Sequence, residues 1–204
     1  PGVSIAELVL PDGTKVMLDR EMDRALEEGV RNSGDTLNYT EVASGRVQDS
    51  CEIYHTLRVP RGGEYTLVLA DGTTVYLNAE SELRFPKQFR GKNRKVYLTG
   101  EGYFDVQRNE KQPFIVEAQQ VEVRVLGTSF GVRAYTKEEN VLTTLIQGRV
   151  NVEADGQQVE LNPGQQADFN RGNDRLTVAE VDVEQYVGWK DGRLVFDNKP
   201  LEFI

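Results

Sequence analysis

The chain is poor in the residues that most chemistry needs. Of its 204 residues one is cysteine, Cys51, one is histidine, His55, and one is tryptophan, Trp189. A single cysteine excludes an internal disulfide, and Cys51 is expected to act as a small buried hydrophobe. Cys51 and His55 stand four positions apart, but a structural zinc site needs four ligands and favours more Cys and His than this, so no metal site is assigned. Basic residues number 24 against 33 acidic ones, a net charge of −9. Phosphate backbones are bound through clustered Lys and Arg, so direct nucleic-acid binding is not expected. No apolar run approaches the roughly 18 residues of a membrane span. The chain begins at Pro1 and carries no secretory leader, which reads as a piece of a longer protein. Phosphate-cradling Gly loops and nucleotide fingerprints are missing, so no cofactor is expected. The βαβ alternation of a doubly wound fold is missing as well.

What the chain does have is alternation. From Cys51 onward apolar residues recur at every second position, as in Leu57 and Val59, Tyr65, Leu67 and Leu69, and Val75 and Leu77. That is the pattern of strands with one face buried. Further short strands are expected over residues 114–117, 121–126, 130–135, 141–146, 149–154, 159–161, 166–169 and 175–178, separated by turns such as Gly148, Asp155-Gly156 and Pro163-Gly164. At the centre, RKVYLTGEGYFDV from Arg94 to Val106 reads as a hairpin with its turn at Thr99 and Gly100. Tyr103 and Asp105 then share one face of the returning strand, and Phe104 and Val106 the other.

One unit occurs twice. Leu8, Val9, Leu10, Asp12, Gly13, Thr14, Val16 and Leu18 recur 59 positions later as Leu67, Val68, Leu69, Asp71, Gly72, Thr73, Val75 and Leu77. Each copy predicts a strand, a two-residue Asp-Gly turn of primed geometry and a returning strand. Asp12 and Asp71 are read as turn residues whose side chains bond nearby backbone. Between the copies, Arg20 to Val30 is the best helix candidate, with Ala25, Leu26 and Val30 at helical spacing and Gly29 near its end. Residues 32–50 are polar and predict loop and a short strand, with Tyr39 and Val42 as anchors. Lys87, Arg90, Lys92, Arg94 and Lys95 crowd a turn containing Gly91 and Asn93, which predicts a solvated loop. With 38% apolar residues to fill a core, the whole predicts an all-β fold. The form expected is an antiparallel β-sandwich or β-roll of many short strands, with at most one or two short helices.

No constellation for catalysis stands out. Gly127-Thr128-Ser129-Phe130-Gly131 spells G-x-S-x-G, but the nucleophile elbow needs a helix after the turn and a later His. Here a strand pattern continues, and the lone His55 comes earlier. Glu101 and Asp105 lie four apart on one face, the sort of carboxylate pair that glycosidases use. An acidic chain holds many such pairs by chance, so the chain is not read as an enzyme.

The order of these words resembles a known family. Leu69, Asp71-Gly72-Thr73, Val75, Leu77-Asn78, Leu83, Phe85, Lys95 to Glu101, Tyr103 to Val106, Pro113 to Val116, Val123, Val125 to Phe130, Gly148, Val150 and Leu161 to Gln165 follow the pattern of the periplasmic domain of FecR-type anti-sigma regulators, in the Bacteroidetes form. The resemblance is strongest over residues 65–169. It implies an inner-membrane parent protein whose cytoplasmic part, absent here, holds an extracytoplasmic-function sigma factor. The periplasmic part would sense an outer-membrane TonB-dependent transporter through that transporter's signalling domain. It also implies the β domain at 65–183 and, at 184–204, a linker with the start of a truncated C-terminal domain; the repeat adds a hairpin and loop region at 1–64, expected to pack on the β domain. Binding is expected at sheet edges and the C-terminal segment, with Trp189, Val195 and Phe196 as contact residues. A carbohydrate-binding β-sandwich is the alternative, although the tyrosines look scattered, and a structural spacer is a third.

Overall fold

The structure, a computed structural model, describes residues 4–42 and 52–191. Eighteen strands run through the described residues. The first copy of the repeat forms β1 (Ser4–Val9) and β2 (Lys15–Asp19), followed by β3 (Asp23–Glu27), β4 (Val30–Ser33) and β5 (Thr36–Asn38). Next come β6 (Tyr54–Val59), the second copy as β7 (Tyr65–Val68) and β8 (Thr74–Leu77), β9 (Ser81–Pro86) and the long β10 (Arg94–Asp105). The second half supplies β11 (Phe114–Ala118), β12 (Val121–Val125), β13 (Ser129–Ala134), β14 (Asn140–Gln147), β15 (Val150–Ala154), β16 (Gln157–Leu161), β17 (Gln165–Asn170) and β18 (Arg175–Glu180). A helical turn α1 (Glu184–Val187) and a 3-10 turn (Gly188–Asp191) close the described chain.

These strands form two sheets that share one member. The first sheet runs β2-β1-β6-β9-β10-β11-β12-β15-β16, and the second β3-β4-β5-β7-β8-β10-β13-β14-β17-β18. The all-β expectation holds, with a correction to its detail: β10 with β11 and β5 with β7 pair in parallel. Strand alternation turns Leu8, Leu57, Phe85, Phe114 and Val123 of the first sheet toward Leu67, Leu77, Phe104, Phe130 and Phe169 of the second, in one continuous buried cluster. Phe104 stacks on its cross-strand partner Phe130 at 5.2 Å and meets Phe114 of the opposite sheet at 6.3 Å.

β10 makes that architecture possible, and it is not the expected hairpin. Its first half pairs with β9 and β11, its second half with β8 and β13, and the two halves do not pair with each other. The chain bends at Gly100, which holds φ +97° and lies so close to Ser81 that a Cβ would come within 2.4 Å of the Ser81 hydroxyl. Run straight, residues 94 to 107 would span about 43 Å. Instead the Arg94 guanidinium reaches the Gln107 carbonyl at 2.7 Å. The strand folds over the core and passes from one sheet into the other.

Two other local readings change. Residues 20–30 are not helical: β3 and β4 pair Asp23 with Ser33 and Ala25 with Arg31, turning at Gly29. Gly29 takes φ +76°, and a Cβ there would meet Val42 Cα at 2.4 Å, so packing against residue 42 selects the turn. Within residues 32–50, expected as loop and a short strand, residues 32–33 end β4 and residues 36–38 form the short β5, with a turn at 34–35 between them. The repeated turns also differ from expectation. In both, the glycine N–H donates to the leucine carbonyl three residues back at 2.9 Å, and that leucine N–H bonds the following threonine carbonyl at 2.9 Å. Gly13 and Gly72 have positive φ, whereas Asp12 and Asp71 do not. This is a three-residue loop ending in a left-handed glycine, where a primed turn would demand positive φ at the aspartate too.

Candidate functional site

After β18 the chain doubles back. The Val181 N–H donates to the Gly164 carbonyl at 2.9 Å, and residues 182–191 then lie across the outer face of the second sheet. Gly131 of β13 makes room for this: a Cβ on it would stand 2.9 Å from Val187 Cγ1. Val187 is buried there, and the Lys190 ammonium sits 4.9 Å from the centre of the Tyr103 ring. Trp189, half-buried, joins Tyr186, Glu101, Arg133, Leu142 and Thr144 around a cavity of about 10 Å³, room for one water. Val195 and Phe196 lie outside the described residues, as does Cys51.

Beneath this cover sits an unusual group for a sheet's outer face. Glu101 is only 7% exposed and accepts hydrogen bonds from Asn78 Nδ2 at 2.9 Å and Arg133 Nη1 at 3.2 Å. Arg133 also forks onto Glu138, at 2.9 and 2.5 Å. Burial pushes the Glu101 carboxyl above its usual value, while Arg133 and Asn78 pull the other way. Asp105 shares the outward direction of Glu101, as the spacing implied, but has a separate partner, accepting from Ser129 Oγ at 2.9 Å. Ser129 opens β13, which continues as strand through Ala134. His55 sits in the first sheet, where its Nδ1 meets the Tyr39 hydroxyl at 2.7 Å and its Nε2 faces Glu27 at 3.4 Å. The G-x-S-x-G stretch therefore has neither the helix nor the histidine contact of a nucleophile elbow.

The basic loop needs the largest correction. Arg94 is 1% exposed, opens β10, and donates to Asp71 Oδ2 and the Gln107 carbonyl at 2.7 Å each and to the Gln112 carbonyl at 2.8 Å. Lys87 pairs with Glu27 at 3.1 Å, and Lys95 with Glu117 at 2.5 Å. Arg90 and Lys92 remain exposed, as a solvated loop would have them. Sequence reading missed Arg94 because five clustered cations look alike until the register of β10 is known.

It also missed the gathering of aromatics. Tyr76 and Tyr103 are cross-strand partners with ring centres 5.9 Å apart, close to Lys190 on the covered face. On the first sheet's outer face Arg84 lies over Tyr54 at 4.1 Å and Tyr97 at 5.2 Å. The outward alternation of Tyr97 and Tyr103 was legible, but their partners depend on strand register. The two outer faces thus differ. The first carries ion-pair ladders such as Lys15–Glu7–Arg58–Glu82, whereas the second is crossed at β10, β13 and β14 by the chain's own C-terminal turn. Such an arrangement suits recognition and packing.

Comparison with known proteins agrees with this reading. The sequence pattern of the FecR protein family matches residues 55–151. Among curated proteins none matches the chain. Two crystal structures of a candidate anti-sigma factor from Parabacteroides distasonis ATCC 8503 are similar. The one at 2.50 Å resolution has a TM-score of 0.69 and 33% identity, covering 74% of this chain and 70% of that one. The one at 1.65 Å has a TM-score of 0.68 and 34% identity, covering 72% and 69%. A matching family pattern across the shared strand β10, and a third of the residues identical over more than two thirds of a solved relative, mean that this chain belongs to the FecR family of anti-sigma factors.

Proposed function

We propose that this chain is the periplasmic signal-transducing region of a membrane-anchored anti-sigma factor. In this reading it relays the state of an outer-membrane TonB-dependent transporter to an extracytoplasmic-function sigma factor, which a cytoplasmic segment outside this chain would hold. The transporter's signalling domain would engage the C-terminal segment, residues 184–204, carried on the β body of residues 65–183 with residues 1–64 packed onto it. One observation supports this most: Val187, Trp189 and Lys190 lie against β13 and β10, and β10 is the strand common to both sheets. A pull on this segment therefore bears on the one strand whose halves belong to two layers. The test is a pull-down of the intact periplasmic region, with and without residues 186–204, against the signalling domains of transporters from the same cell. Binding that depends on the tail supports the reading. A folded protein that binds in neither form overturns it. A Phe196→Asp change that leaves binding intact removes that residue from the contact. Signalling that survives deletion of residues 65–170 would reduce the domain to a spacer.

The alternative, a carbohydrate-binding module, has the Tyr54–Arg84–Tyr97 cluster in its favour. Those tyrosine planes stand 57° apart and do not make one flat platform. Calorimetry of glycans against the domain separates the two readings, since only the alternative expects heat.

A further inference from the structure

The first sheet carries a concavity whose lining includes none of the described residues 184–191. Where β1, β6, β9 and the bend of β10 meet, Ala6, Val59, Pro60 and Thr99 line a groove of about 470 Å³, with Met17 on its flank. Met17 is 53% exposed, more than any other large apolar side chain among the described residues. Three carboxylates rim the groove, Glu7, Glu80 and Glu82, against Arg58 in its lining and Lys15, which pairs with Glu7 at 3.3 Å from beside it. Arg58 is engaged by two of them, at 2.6 Å from Glu82 and 3.5 Å from Glu7. Glu80 is exposed and stands on a left-handed backbone, φ 56°.

An apolar trough with a net negative rim matches one kind of occupant. The apolar side chain of a bound segment fills the trough beside Met17, and a neighbouring Lys or Arg meets Glu80. A purely apolar segment leaves the rim unanswered, and an acidic one is repelled by it. The chain's net charge of −9 favours the approach of a basic segment from a distance. We propose that this groove docks a segment of a partner protein in which apolar and basic side chains alternate. Its floor includes Ser81 and Thr99, which flank the Gly100 bend, and the Ser81 hydroxyl accepts the Glu101 N–H at 2.8 Å. An occupant therefore presses on the corner where β10 changes sheets. The groove lining shares no residue with 184–204, so either proposal can fail alone.

The protein carries its own reporter. It has two methionines, Met17 at the groove and Met22, which packs against the core. Methyl-13C-methionine NMR would follow both during titration with the peptide acetyl-Lys-Leu-Lys-Leu-Lys amide, and with the same peptide carrying Glu at each Lys. The expected result is a saturable shift of the Met17 methyl with the lysine peptide, none with the glutamate peptide, and a still Met22. Glu80→Lys, a change on an exposed side chain, should weaken the lysine peptide by at least about three- to fivefold, since it removes one surface ion pair and adds repulsion between like charges. A Met17 signal unmoved at millimolar peptide, an equal response to both peptides, or a Glu80→Lys protein that binds as well as the parent would each overturn the proposal.

Discussion

At the tip of the first hairpin Asp12 is exposed and takes the Thr14 N–H at 2.9 Å, a bond that holds its carboxyl below the usual value. At the tip of the second, Asp71 takes the matching Thr73 N–H at 3.0 Å and also the Arg94 guanidinium at 2.7 Å. Eight residues match between the copies and the turn hydrogen bonds coincide. What differs is what passes beneath. Arg94 enters the core from the start of β10, and only the second hairpin stands where its aspartate can meet it. The Thr73 hydroxyl then extends the junction, accepting the Gln107 N–H at 3.1 Å. Local sequence makes the turn in both places, while a contact 23 residues away in sequence makes one of them a structural post.

That difference can be broken from the strong side first. Asp71→Ala leaves the buried Arg94 without its counter-ion and should cost about 3 kcal/mol or more, read as a drop in urea midpoint without change of slope. An Arg94→Met, Asp71→Leu double change that recovers most of the loss would identify the unpaired charge as its cause. Gly100→Ala comes next. It forces a side chain into φ +97° and against Ser81, and should cost about 2 kcal/mol by thermal unfolding. The same change at Gly13 or Gly72, where nothing crowds a Cβ, should cost less.

The segment between the hairpins adds a pH-dependent term. Burial holds His55 below its usual value near 6.5, Lys87 adding to the effect and Glu27 opposing it. Between that lowered value and 6.5 the unfolded chain binds more protons than the folded one, so stability falls as pH drops through 6.5 and levels off below the folded value. Urea midpoints at pH 7.5 and 5.5 should differ more in the parent than in His55→Gln. An equal difference would assign the acid effect to other groups. Smallest of all, Asp12→Ala should lower the melting temperature slightly, through loss of the Thr14 bond alone. A loss as large as that of Asp71→Ala would erase the distinction between the copies.

Much of the fold was legible from residues. The period-two runs became strands close to their expected bounds, as Val121–Val125 and Arg175–Glu180 illustrate, because alternation across a half-buried surface is enforced residue by residue. The readings that failed were of another kind. Arg20 to Val30 satisfied a helical spacing over barely three turns, and close packing of Gly29 on Val42 decided for a β-turn. Gly100 did mark a bend, but whether the halves of β10 would pair with each other or with separate sheets depended on β8, β9, β11 and β13. Of the candidate contact residues, Trp189 found a defined place on β10 and β13. The burial of its neighbour Glu101, paired with the half-exposed Arg133, was not foreseen, since charge gives no hint of what will cover it.

The sequence by itself determined the period of the strands, the places where the chain turns and the family to which it belongs. Those properties rest on sterics and side-chain patterns that act within a few residues. Only the tertiary structure decided that β10 joins two sheets, that Arg94 is a core residue bound to Asp71, that the C-terminal turn packs on β10 and β13, and that a groove forms beside Met17. Each of these depends on contacts between segments far apart in the chain, where burial and partner geometry outweigh local preference.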